Sequence, residues 1–206
     1  MTNCGKVQLA VFVCIFALIS LPTLLRAGEP EKPGKLIMDT IDKSLAILQD
    51  PSLQGEQNVN ERRSQLWQEI SPIFNFEEMS KRALGQHWKD RSPKEKKEFV
   101  ELFTCILRDT YIGKTDVYTG EKVIYLAEKR VKGYATVQTK FVAKGNEISV
   151  HYRLLNNGGE WRVYDVIIEG VSLIGNYRSQ FNSVLMRSSY KDLVQKLKEK
   201  TIVSQK

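Results

Sequence analysis

Four groups in this chain could carry chemistry: His87, His151, the carboxylate of Asp165 and the thiol of Cys105. The two histidines lie far apart in sequence and no cysteine joins them, so their spacing gives no metal site. No glycine-rich loop matches a phosphate cradle, and no serine sits in a nucleophile elbow. Cys105 falls in a helical stretch beside Phe103 and Ile106 and reads as an inert buried thiol. His87 follows a helix cap, between Gln86 and Trp88, and reads as a surface or cap residue.

Asp165 is the most informative of the four, because it sits inside a strand pattern between Tyr164 and Val166. A carboxylate there needs a partner, since burying it unpaired is expensive. Backbone amides, or Arg178 on the following helix, would supply a structural bond. The alternative is a general base in a hollow apolar cone. A two-residue loop in the preceding hairpin puts Asp165 on the face of Val150 and Tyr152, with His151 opposite; a three-residue loop reverses this.

The elements that must position these groups follow from periodicity. Leu36, Ile37, Ile41, Leu45 and Leu48 recur at helical spacing up to Asp50-Pro51, and a second helical segment runs from Val59 to Ile70. Asn75 caps a short helix carrying Phe76, Met79 and Leu84 and ending at Gly85. Ser92-Pro93-Lys94-Glu95 is a strong helix start, and Phe99, Val100, Phe103, Ile106, Leu107 and Tyr111 form the stripe behind it. Strands are expected over Lys122–Glu128, Tyr134–Val142, Glu147–Leu155 and Trp161–Ile168, with breaks short enough for hairpins. Alternation within them gives the meander one covered face and one wetter face. Leu173, Ile174, Tyr177, Phe181, Val184 and Leu185 begin a helical tail, which continues past Ser188-Ser189. Helices on both sides of an antiparallel meander predict an α+β fold, in which a strongly bent sheet forms a cone with an apolar interior.

At the N-terminus, Lys6 precedes an apolar run from Val7 to Leu25 that stops at Arg26-Ala27-Gly28. This is the layout of a secretory signal cleaved after Ala27, which places residues 28–206 outside the cytoplasm as one domain, with 28–35 as a flexible leader. An uncleaved anchor is the other reading, as the run is about long enough to span a bilayer. Cys4 and Cys14 lie in the signal, so the mature chain has a single thiol and no internal disulfide. The full chain carries a formal charge of +7. Its charge runs mix both signs, and no basic patch is interleaved with aromatics, so nucleic acid is not an expected partner.

Several long blocks of this sequence carry a family resemblance. They are Phe76-Glu77-Glu78-Met79-Ser80-Lys81-Arg82-Ala83-Leu84-Gly85-Gln86-His87-Trp88, then Phe99, Phe103 and Thr110-Tyr111. Later come Tyr152-Arg153-Leu154, Trp161-Arg162-Val163-Tyr164-Asp165-Val166, Ile168-Glu169-Gly170-Val171-Ser172-Leu173 and Asn176-Tyr177-Arg178-Ser179-Gln180-Phe181. Together they resemble the toluene-tolerance family, the periplasmic phospholipid-binding component of the Mla lipid transport pathway. Ser188-Ser189-Tyr190 stands where relatives tend to have glycine before the final helix.

The resemblance implies a fold related to nuclear transport factor two, with an internal pocket for phospholipid tails. It implies a monomeric, non-enzymatic, cofactor-free carrier that exchanges lipid with two partners. These are an MCE-domain component of an inner-membrane ABC transporter and a lipoprotein–porin complex at the outer membrane. A hopanoid-linked branch of the family leaves a second lipid class open, and a cone-fold enzyme using Asp165 is the competing function. Candidate tail-binding walls are Phe99, Phe103, Leu107 and Tyr111 on the long helix, Val137, Phe141, Val150, Tyr152 and Val166 on the sheet, and Val171, Ile174 and Tyr177 at the tail. Arg153, Arg162 and Arg178 are the candidates for a headgroup phosphate.

Overall fold

A computed structural model describes residues 32–118, 120–143 and 145–204. The expected signal, residues 1–27, lies outside them, and the last residues of the expected leader are already helical.

Helix α1 (Pro33–Gln49) starts with proline at its first turn, and α2 (Val59–Ile70) follows two short 3-10 turns. Helix α3 (Phe76–Leu84) is capped by the Asn75 side chain, which accepts from the Glu78 N–H at 2.9 Å. Helix α4 (Pro93–Tyr111) opens with the reciprocal capping box of Ser92 and Glu95. Strands β1 (Lys122–Val131), β2 (Tyr134–Ala143), β3 (Asn146–Asn157), β4 (Glu160–Ile168) and the short β5 (Val171–Ser172) form one antiparallel sheet in sequence order. Helices α5 (Leu173–Leu185) and α6 (Tyr190–Ser204) complete the described chain. The fold is α+β, a curved open meander covered by helices, as the sequence predicts.

Two apolar clusters divide the interior. The larger is helical: Met79, Ala83, Phe99, Phe103, Ile174, Tyr177 and Phe181 pack with Leu193 and Leu197 where α3, α4, α5 and α6 meet. Phe103 is its hub, with ring centroids 4.9 Å from Tyr177, 5.5 Å from Phe181 and 5.8 Å from Phe99. The smaller cluster joins Ile37 of α1 to Ala135, Val137, Leu154 and Val163 on one face of the sheet.

The turn between β3 and β4 is the two-residue Gly158-Gly159, with Asn157 opposite Glu160. That loop length alone would set Asp165 on the face of Tyr152. The register shifts at Tyr164, however: Leu154 pairs with Val163 and Arg153 pairs with Asp165. The bulge leaves Tyr164 without a partner and returns Asp165 to the face of Arg153 and His151, opposite the one expected. Val166 and Ile168 pair with Tyr152 and Val150 and so share their face. A second one-residue irregularity falls at Leu126 in β1, and two residues on, Glu128 reaches back to α1, where it accepts the Gly34 N–H at 2.6 Å.

Phe103 is fully buried among three aromatic neighbours. Phe103→Ala is expected to lower stability by about 3–5 kcal/mol, measured as a shifted urea midpoint at unchanged slope. A loss under 1 kcal/mol would mean that this cluster is not close-packed.

Candidate functional site

Helix α1 touches the sheet closely only at its beginning. Gly34 is tied to Glu128, and Ile37 is 1% exposed against Ala135, Val137 and Leu154. Further along, Ile41, which also packs at the edge of that cluster, Leu45 and Leu48 line a cavity of about 700 Å³, partly open to solvent. Leu66, Trp67 and Ile70 of α2 form a second wall. Phe74 and Phe76, with ring centroids 5.8 Å apart, and Trp67, 5.5 Å from Phe76, form an aromatic corner of the lining. Leu107 and Tyr111 close the side of the helical cluster, and the sheet contributes Phe141, Ile148, Val150, Tyr152, Val166 and Ile168.

The polar residues among these walls are largely self-satisfied. Thr40 donates to the Leu36 carbonyl at 2.9 Å, Ser44 to the Thr40 carbonyl at 2.7 Å and Thr115 to the Ile112 carbonyl at 2.6 Å. Each hydroxyl is folded onto its own backbone. The Tyr152 phenol is pushed up to about 12 by burial, which outweighs its hydrogen bond with Thr139. Burial, followed by the neighbouring Tyr177, raises Tyr111 to about 12 as well. Both stay neutral under ordinary conditions, and the walls carry hydrocarbon and uncharged rings. The remaining polar members, Glu121 and Asn146, lie beside the Ala143–Asn146 turn at one end.

The 3-10 segment after α4, Ile112–Val117, is fastened to α2 at this cavity. Buried Arg62 donates to the Leu53 carbonyl at 2.8 Å and to Asp116 at 3.2 Å, and Arg63 donates to Asp116 at 3.1 Å. Burial opposes ionisation of Asp116, but Arg63 and Arg62 outweigh it and hold its carboxyl below the usual range.

Of the residues that the sequence nominates, Leu107, Tyr111, Phe141, Val150, Tyr152 and Val166 are brought together on the cavity. Phe99, Phe103, Ile174 and Tyr177 are not: their stripe is consumed by helix–helix packing in the larger cluster. Val137 is sealed under Ile37, and Val171 is 62% exposed at the sheet edge. The three arginines also sit elsewhere. Arg162 donates to the Pro72 carbonyl near the β3–β4 turn. Arg153 and Arg178 line a groove on the opposite face of the sheet: alternation along β3 turns Arg153 away from Tyr152, α5 supplies Arg178, and the β4 bulge brings Asp165 to the same side. Asp165 accepts from the Ile174 N–H at 3.0 Å, the Ser172 hydroxyl at 2.7 Å and Arg153 at 3.3 Å. It anchors the start of α5, and its partner is Arg153, not Arg178. His87 lies 3.2 Å from the Asn182 side chain, and Ser149 meets His151 at 3.0 Å.

The apolar walls of α1, α2 and the Phe74–Phe76 corner were not nominated. Their signal is the Ile37-Ile41-Leu45-Leu48 spacing, which marks a covered face without saying what covers it.

The family model described as MlaC protein matches residues 38–199, from α1 into α6. The chain belongs to the MlaC family. Among curated MlaC-type relatives, the intermembrane phospholipid transport system binding protein MlaC of Haemophilus influenzae is 20% identical over 193 residues, 91% of this chain and 90% of that protein. Toluene tolerance protein ttg2D of Pseudomonas putida is 25% identical over 174 residues, 83% of this chain and 80% of its own. A solved phospholipid-binding protein from Ralstonia solanacearum, crystallised with a phospholipid, superposes with a TM-score of 0.76 at 26% identity. It covers 85% of this chain and 100% of its own.

Two measurements check the electrostatics of this MlaC-family site. The raised Tyr111 and Tyr152 values hold their protons in the folded state after the unfolded chain has begun to lose its own near pH 10. Stability is therefore complete below about pH 10 and falls as pH rises toward 12, and Tyr152→Phe should flatten that decline. Ultraviolet titration showing every phenol ionising together near pH 10 would refute it. For Asp116 the sign is reversed: its contribution is present above the ordinary carboxylate value and is lost as pH falls through the lower folded one. Asp116→Asn should shrink the acid-side loss of thermal stability, and an unchanged acid limb would count against the clip.

Proposed function

We propose that this chain is a phospholipid carrier that holds acyl tails in the cavity between α1, α2 and the sheet. The observation that carries the reading is the cavity itself: about 700 Å³ of apolar lining, within the size range of small-molecule sites. None of the buried polar atoms left without partners among the described residues belongs to its walls. Each methylene moved from water into such a space gains about 0.8 kcal/mol, so a dozen would gain about 10 kcal/mol before the cost of immobilisation. Leu107, Tyr111, Phe141, Val150, Tyr152 and Val166 are the sequence-nominated residues that would touch the tails, joined by Ile41, Leu45 and Trp67. The headgroup would remain in solvent at the end marked by Asn146 and Thr115.

The phospholipid transport role of the Haemophilus relative supports this reading, as does the phospholipid in the superposing structure. In the fuller proposal the chain is exported by residues 1–27, works in the periplasm without covalent catalysis, and shuttles lipid between an MCE-domain component of an inner-membrane transporter and an outer-membrane lipoprotein–porin complex. Asp165 has no role in binding the tails or in chemistry there, since its oxygens are engaged on the other side of the sheet.

Organic extraction of the purified protein, followed by mass spectrometry, is expected to return phospholipid. Val150→Trp and Ile41→Trp should reduce it several-fold in proteins that still melt cooperatively, while Asp165→Asn should retain it if folded. Absence of any phospholipid in the unsubstituted protein, with no transfer between labelled vesicles, would sink the proposal. Recovery of hopanoid alone would assign the other lipid class.

A further inference from the structure

On the face of the sheet away from the cavity, a groove of about 460 Å³ lies among α3, α5 and β4. Four cations line it, Lys81, Arg82, Arg153 and Arg178, against two carboxylates, Glu78 and Asp165.

The guanidiniums are held in place with donors to spare. Arg82 donates to Glu78 at 2.8 Å and lies 4.0 Å over the Tyr164 ring, which the β4 bulge turns outward. Arg153 uses one nitrogen on Asp165, itself only 3% exposed and fixed by Ser172 and Ile174. Arg178 crosses the backbone of Gly85 so closely that a Cβ there would stand 3.0 Å from its Nε, and Gly85 holds a φ of +58°. Among the described residues no hydrogen bond or ion pair engages the Arg178 guanidinium. An arginine has five N–H donors in a rigid fork suited to carboxylates and phosphates, so three ordered forks leave most of their capacity unused.

We propose that this groove is a docking site for an acidic segment of a partner protein. Charge complementarity favours an anionic occupant, and the mixed lining favours a peptide over a lone phosphate. Glu78 and Asp165 would repel a compact dianion, whereas a peptide sets its carboxylates on Arg178 and Arg153 and offers an N–H group toward Glu78. Exposed apolar surface adjoins the groove at Tyr134, edge-on to Tyr164 with centroids 6.0 Å apart. Arginine and tyrosine around a groove are the composition of interface hot spots. The sheet separates this surface from the cavity, so the proposal stands whatever the cavity holds.

The test uses the full mature chain, an acetylated Glu-Leu-Glu-Leu-Glu peptide, inorganic phosphate and phosphatidylglycerol vesicles. In heteronuclear NMR the peptide is expected to move the backbone amides of Gly85, Tyr164 and Gly175. Arg178→Glu should weaken it about tenfold, with unchanged thermal stability because Arg178 is exposed and unpaired. Lys191→Glu, the same charge change on α6 outside the groove, should alter affinity less than about twofold, and the extractable lipid should be the same in both variants. Equal weakening by the two substitutions would reduce the effect to net charge and overturn the proposal. So would shifts produced by phosphate or by vesicles but not by the peptide, or no shift at all.

Discussion

An apolar space with no side chain inside it runs against the close packing that stabilises protein interiors. Apolar walls left to water forgo about 25 cal/mol for each Å² that an apolar occupant would cover, so this partly open space favours such an occupant. Water finds few partners on walls whose hydroxyls are already bonded to their own backbone. The rest of the architecture can be understood as what keeps this space open. Helix α1 is pinned to the sheet at Gly34 and Ile37, and Arg62 and Arg63 clip the far side through Asp116. A separate aromatic cluster provides the rigidity that the sheet's own core does not.

One extra residue in β4 lets the strand serve both faces. Val163, Val166 and Ile168 point toward α1 and the cavity, while Tyr164 and Asp165 point toward α3 and α5. Asp165 then joins sheet to helix through the Ile174 amide and orders Arg153 with the same carboxylate. A single irregularity thus couples the wall of the cavity to a charged surface behind it.

The alternation of apolar and polar residues made the meander legible, and the cap signals at Asn75 and Ser92 located α3 and α4. Those signals are local, and they survive folding. The β3–β4 break is legible as a hairpin, but its composition leaves two- and three-residue loops both open. The bulge at Tyr164 was not legible, because nothing in a strand's composition marks which residue will lose its partner, and the side assigned to Asp165 inverted as a result. The stripe Phe99-Phe103-Tyr177 and the stripe Ile41-Leu45-Leu48 look alike in sequence; one meets other helices and the other meets space. Periodicity reports which face is shielded from water, and the identity of the shield is a tertiary property. Arg153 and Arg178 are legible as anion ligands by type, but strand alternation turns Arg153 away from Tyr152 and the cavity, and α5 carries Arg178 to that same far side.

The hydroxyls of Thr40, Ser44 and Thr115, turned inward onto their helices, leave that part of the cavity wall smooth on the molecular scale. Against such a lining an aliphatic chain has no directional bond to break as it slides, and successive methylenes exchange one dispersive contact for another. Movement along the wall is then a sequence of small steps in place of one large barrier, and length or saturation is weakly sensed there. Any discrimination between one hydrocarbon chain and another would arise where the smooth lining ends.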